Sequence, residues 1–299
     1  MTDNKGTNIK NGDNLSTYTG SKLQSYNFSI GTGFGKLRNV TPVVSAIRFQ
    51  ERLKQLNLIK ADLPDNVIEN LARQFSRRVY YFQVHNRAEK YFWKDIENTL
   101  TNNGISLDGL NMFADAYLRE SINELRFLRE EGFMTGLNFQ FNYQNMYNAF
   151  RNDKHLQEQF YTFANIYFNY SHQLNLNSEI FAKVSFTGGP NVLKNPSVKQ
   201  QYYFTSEIGY NYELTDRLVA AFDESFSLTF QNSSVQQKIL SNQLSLSLNY
   251  FIEDNLSFNA FYTWYYIRYK DYILVFPESS NQHQISAGFT YYFNRAIMI

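Results

Sequence analysis

The segment LNFQFNYQ, residues 137–144, sets Leu137, Phe139, Phe141 and Tyr143 between Asn138, Gln140, Asn142 and Gln144. The same alternation returns in LSLSLNY (244–250) and again in LSFNAFYTW (256–264). Side chains on a strand point to opposite faces with period 2, so each segment forms a strand with one apolar and one polar face. A strand of this kind must bury its apolar face against something. A succession of them, apolar outward and polar inward, suits a barrel wall in lipid.

Working outward from these segments, the chain reads as strand from Gly132 onward. Eight strands are expected, at about 133–148, 158–172, 178–187, 200–213, 217–230, 237–251, 255–269 and 283–293. The connections RNDKHLQ, GGPNVLKNPSVK, QNSSVQ and KDYILVFPESSNQ alternate with the tighter QLNLN, ELTD and IEDN. Short turns at one end and longer loops at the other are the pattern of a transmembrane barrel. An even count would put the C-terminus at the turn end. Pro190, Pro196 and Pro277 fall in the long connections, as ladder hydrogen bonding requires.

Ahead of the strands lies a different kind of sequence. Residues 1–23 are polar and aperiodic, which predicts a disordered tail. Residues 24–131 predict a mostly helical accessory region. Thr41-Pro42 opens a helix with Val43, Ile47, Leu53 and Leu56 as its apolar stripe. Asp62 and Asp65 open a second, with Ile68, Leu71, Ala72 and Phe75 facing inward. A third spans roughly 87–98, with Tyr91, Phe92 and Trp93, and a fourth starts near Asp108. VYYFQV (79–84) predicts a short strand. SYNFSIGTGFGK (25–36) predicts a strand whose Gly31, Gly33 and Gly35 share one face. It lacks the spacing of a phosphate-binding loop, so a close-packed or lumen-facing strand is the favoured reading.

The fold class expected is therefore α+β: a helical region followed by an antiparallel up-and-down transmembrane barrel over residues 132–299. It would have eight strands, or ten if 25–36 and 79–84 join the wall. Composition agrees. Aromatics make up 17% of the 299 residues, enough for interfacial girdles. The formal net charge of +1 gives no field that would draw in nucleic acid. There is no cysteine for disulfides or thiolate chemistry, and no apolar run approaches the ~20 residues of a transmembrane helix. The N-terminal MTDNKGTNIK has no export signal, so this reading requires a signal removed or encoded upstream. A soluble barrel would not need one.

Residues 132–299 resemble the small outer-membrane β-barrels of Gram-negative bacteria, and the abundance of Asn, Tyr and Phe suggests the Bacteroidota type. ISAGFTYYF (285–293) is similar to the terminal strand read by barrel-assembly machinery, with NRAIMI following it. The resemblance implies residence in the bacterial outer membrane, contact with its lipid, and a helical region in the periplasm. It is a resemblance of architecture, and implies no activity.

The side chains that carry chemistry are few. On the inward parity, Lys183, Glu207, Gln140, Asn142 and Asn259 are candidate lumen residues, and Lys183 could pair with Glu207 across a hairpin. An eight-stranded barrel is just wide enough to be filled by such side chains, so a plugged interior is favoured over a pore. Asp223 and Glu224 in FDESF would place Glu224 towards lipid, and a β-bulge there is expected to turn both acids away. His85, His155, His172 and His283 have no metal-ligand spacing, and His283 and Ser286 would face opposite sides of one strand. No catalytic residue, cofactor site or metal site is expected. The apolar run Ile273, Leu274, Val275 and Phe276, in a connection that should face water, is the candidate contact for a periplasmic or extracellular protein partner. The expected role is a non-enzymatic envelope anchor or docking module. The alternatives are a small porin-like channel, an outer-membrane enzyme acting on lipid or glycan, or a soluble barrel holding an apolar ligand.

Overall fold

The computed structural model describes residues 19–107, 110–122, 128–150, 153–193, 198–215, 217–233, 236–253, 256–271 and 278–291. Nine strands form one antiparallel sheet in sequence order: β1 (Thr19–Asn39), β2 (Glu130–Phe150), β3 (Asp153–Asn175), β4 (Ser178–Pro190), β5 (Val198–Thr215), β6 (Leu218–Ser233), β7 (Gln236–Glu253), β8 (Leu256–Asp271) and β9 (Ser279–Tyr291). The helices α1 (Thr41–Gln55), α2 (Asp65–Ser76), α3 (Arg78–Val84), α4 (Ala88–Thr101) and α5 (Met112–Glu120) all lie between β1 and β2. The protein is thus α+β, with a helical segment inserted into the first hairpin of a β-meander.

Among the described residues the strand count is nine, neither eight nor ten. Segments β2–β9 are the eight expected strands. The ninth is β1, which takes up the glycine-rich 25–36 and begins at Thr19, inside the stretch expected to be a tail. VYYFQV does not join the wall. It continues from α2 after the single residue Arg77, as helix α3, where Tyr81 packs edge-on against Phe92 with ring centroids 5.5 Å apart. Aromatic and β-branched residues favour strands, but a strand needs a ladder partner, and the elements beside this segment are helices. Among the described residues β1 and β9 pair only with β2 and β8, so they stand at the two ends of the strand order.

The connections differ from expectation too. RNDKHLQ and QNSSVQ were expected to be loops, but β2, β3, β6 and β7 run on as paired hairpins and leave only residues 151–152 and 234–235 between strands. The helical segment sits at the end of the sheet where β3–β4, β5–β6 and β7–β8 turn, and β9 runs towards that same turn end.

The apolar core belongs to the helices. Phe49, Leu53, Val67, Leu71, Phe92, Ile96 and Leu100 are fully buried together, each contributing roughly 1.5–3 kcal/mol. On α1 the buried stripe is Val44, Ala46, Phe49 and Leu53, rotated from the expected one, so that Val43 is exposed. The sheet has no such core. Its buried residues include Ser171, Glu179, Glu213, Val219, Ser257 and Tyr161, and the pairing register places all six on the polar face. Its apolar face is exposed even on the inner strands, where Ile166 is 56% exposed, Ile208 57% and Leu246 44%. That is the reverse of a soluble sheet.

The exposed apolar residues also form an ordered band. Tyr26–Phe34 in β1 centres on Ile30, Tyr202–Leu214 in β5 on Ile208, and Ile285–Tyr291 in β9 on Gly288. Traced through the register, Ile285 lies in the row of Tyr262, Leu246, Phe222, Tyr210, Ile180, His172, Glu131 and Arg38, eight residues past Ile30. The centre of the band therefore drifts about eleven residues from β1 to β9, which at 3.3 Å per residue and 4.8 Å per strand is an inclination of roughly 45°. Strands that cross a bilayer in a barrel tilt by a similar angle. The two ends of the band are rich in rings, with Tyr26, Tyr143, Phe160, Tyr202 and Tyr266 towards the loops and Tyr170, Tyr212, Tyr250, Phe258 and Tyr291 towards the turns.

Candidate functional site

Alternation puts Lys183 of β4 and Glu207 of β5 on the polar face, and the register sets them directly opposite. Lys183 Nζ lies 3.3 Å from both carboxylate oxygens of Glu207, and 4.9 Å above the Phe181 ring. The pair borders a depression of about 410 Å³ whose other walls include Asn169, Ser185, Thr205 and Ser227. Hydroxyls bond across the strands here, Ser185 with Thr205 and Ser227 with Ser241, each at 2.7 Å. The site is polar, nearly neutral and open to water.

The other expected inward residues share this face without joining the site. Gln140 lies between Ser29 and Phe163, and Asn142 between Asn27 and Tyr161, both towards the loop end. Asn259 lies opposite Asn249 and Gly288 near the turn end, where its amide donates to Thr290 Oγ1 at 2.8 Å. Gly31, Gly33 and Gly35 face the same way. The Tyr167 hydroxyl lies over Gly33 and Gly136, where a Cβ on Gly136 would come within 2.6 Å of it. Ile273, Leu274, Val275 and Phe276 lie outside the described residues.

Sequence reasoning missed the most buried polar cluster, where the helices meet the turn end. Arg48 of α1 donates to the carbonyl of Leu176 at 2.8 Å and to Asn177 Oδ1 at 3.2 Å, both in the β3–β4 turn, and pairs with Glu213 at the end of β5. Glu213 also takes Arg129 Nη2 at 3.2 Å. Arg129, just before β2, is fully buried; its Nη1 donates to Gln173 Oε1 at 3.0 Å. Burial pulls the Arg129 guanidinium below the usual arginine range, and Glu213 beside it works the other way. Glu179 Oε1 accepts from the Ser171 hydroxyl at 2.5 Å and from the Glu130 amide at 3.1 Å. The only sequence signal was parity: Glu179 and Glu213 are acids on the polar side of strands, next to short turns.

Asp223 and Glu224 separate across the sheet. The register through β6 is unbroken from Leu218 to Asn232, so the expected bulge is absent. Asp223 faces the polar side opposite Gly209 and Ser245. Glu224 lies on the apolar side between Ile208 and Leu244, where Asn242 Nδ2 donates to its Oε1 at 3.3 Å. A bulge needs an unpaired residue, and both neighbouring strands here supply a partner for every residue. His283 and Ser286 face opposite sides of β9, and the His283 ring bonds the Tyr262 hydroxyl at 3.0 Å.

Among the described residues no three His, Asp or Glu side chains converge as metal ligands, and no helix is long and apolar enough to cross a membrane. Comparison with protein-family models, curated proteins and solved structures found no match to this chain.

Proposed function

We propose that this is an outer-membrane β-barrel protein in which the sheet is the wall in lipid and the helical insert is a periplasmic anchor or docking module. The observation that carries the reading is the inverted burial of the sheet. Most of the buried strand residues lie on its polar face, while its apolar face is exposed along an inclined band with aromatic ends. Exposed apolar area on this scale is costly in water and favourable in hydrocarbon. Closure of the sheet into a barrel is part of the proposal, since a free strand edge has no place in lipid.

The test is gel mobility of the full chain in detergent with and without boiling, alongside alkaline extraction of expressing membranes. A faster unboiled band and retention in the membrane pellet are expected. A chain that stays in solution without detergent, with one mobility, would reject the reading.

A second reading, a small channel, rests on the open depression beside Lys183 and Glu207, which the described side chains leave unfilled. Single-channel steps in planar bilayers would establish it. A soluble barrel with its apolar face inward has less support, because Leu246, Leu248, Ile285 and Phe289 are all exposed.

A further inference from the structure

Glu224 stands at the midpoint of the apolar run Leu218–Phe230 of β6, the worst place on that face for a carboxyl group. It is not alone. Asn242 of β7 bonds to it, and Ser206 of β5 lies on the same face, one row towards the loops, in register with Phe226 and Asn242. An acid, an amide and a hydroxyl thus interrupt a band otherwise built from Ile208, Phe222, Phe226 and Leu244. Acyl chains offer such groups no hydrogen bonds, and each group left unmatched in hydrocarbon is costly.

On the same face, towards the turns, the row Tyr212, Ala220, Leu248, Ala260 and Ala287 is dominated by small side chains. Together with the row of Phe222 and Leu246 it shapes a shallow apolar depression of about 490 Å³. Small residues let another surface come close, the way membrane-embedded elements pack.

We infer that this outward face of β5–β9 is an intramembrane contact, and that its occupant is a second copy of the same chain. The inference rests on the membrane reading above. The polar patch is self-complementary. Asn242 has a second N–H beyond the one given to its own Glu224, and Glu224 has a second carboxyl oxygen. Two copies related by a two-fold axis through the patch can exchange these groups reciprocally, as an isologous interface requires. A lipid shell provides the apolar half of this complementarity and none of the polar half.

The absence of cysteine makes the test direct. Leu244→Cys (L244C) lies beside both Glu224 and Asn242, whereas Ile166→Cys lies on the apolar face of distant β3. Each full-length variant would be reconstituted in phosphatidylcholine vesicles at high lipid-to-protein ratio, oxidised, and read on a gel, with native mass in detergent measured in parallel. A cross-linked dimer is expected for L244C and not for Ile166→Cys. The dimer fraction should fall by about ten-fold when E224L and N242L are added, a change of one hydrogen bond's order, and persist with E224Q, which keeps the polar group. Equal cross-linking of the two cysteine variants, a monomeric mass, or a dimer indifferent to E224L/N242L would overturn the inference. The comparison of L244C with Ile166→Cys stands even where the double variant does not fold. Boiled and unboiled lanes of the same gel show separately whether the membrane reading has failed.

Discussion

Arg48 of α1 and Glu213 of β5 stand 165 positions apart in sequence and form a buried ion pair that fastens the helical insert to the turn end of the sheet. Glu213 serves two arginines at once, Arg48 and Arg129. Removing the carboxylate leaves two buried guanidiniums to be solvated by what remains. E213A should therefore cost about 3–5 kcal/mol in the docking of the insert, the range for breaking a buried pair from one side. R48A should cost less, because Arg129 still faces Glu213. Trp93 reports on this segment once the other tryptophan is removed by W264F, so denaturant titration of its fluorescence measures both variants. Equal stability of E213A and the parent would show that the cluster does not hold the insert.

A second relationship ties β1 to the rest of the sheet. The Cβ of a residue larger than glycine at position 136 would come 2.6 Å from the Tyr167 hydroxyl and 2.8 Å from the carbonyl oxygen of Thr32. The tyrosine can swing away, but the Thr32 carbonyl belongs to the β1–β2 ladder. G136V should lower stability by about 1–3 kcal/mol, as overpacking does, and adding Y167A should restore only part of it. The temperature at which the compact gel band is lost is the measure. Full rescue by Y167A would mean that the ladder is slack at this point.

How much of this was legible in the sequence depends on the range of the forces involved. Period-2 alternation is local, and it located β2–β9 and put Lys183, Glu207, Gln140, Asn142 and Asn259 on one polar face. The place of β1 was not legible, because its partner β2 begins 91 residues after β1 ends, beyond the helices. VYYFQV carries strand propensity, yet helical neighbours decided its state. Arg48 looked like any charge on the polar side of an amphipathic helix. Only the docking of α1 onto the β3–β4 turn turns it into a buried anchor. The expected bulge at Asp223–Glu224 assumed that a carboxyl group must avoid the apolar face. The ladder keeps its register, and the acid bonds to Asn242 instead.

The Lys183–Glu207 pair should matter little for stability. Both side chains are well exposed, and exposed pairs contribute about 0–1 kcal/mol, so K183Q should unfold within that margin of the parent. Its effect on permeation would be larger if the polar face conducts. Losing Lys183 leaves Glu207 opposite it and Asp223 one row away without their nearby cation. The reversal potential in a salt gradient should then shift towards cation selectivity. Conductance with an unchanged reversal potential would place the ion path away from this pair.

Tyr81 gives the helical insert a pH dependence of known sign. Partial burial, together with the hydrogen bond its hydroxyl donates to Asp95, pushes the phenol up to about 12 from its ordinary value of 10.0. A group whose pKa is raised on folding contributes stability fully below the unfolded pKa and loses it as pH rises through the folded one. The Tyr81–Asp95 bond should therefore be intact up to about pH 10 and lost between about pH 10 and 12. Denaturant titrations read by Trp93 at intervals from pH 8 to 12 would show the parent losing stability in that window. Y81F should start lower at pH 8, because Asp95 has lost its donor, and then fall less steeply, because the group that titrates is gone. Parallel curves for Y81F and the parent across the window would assign the alkaline loss to other groups.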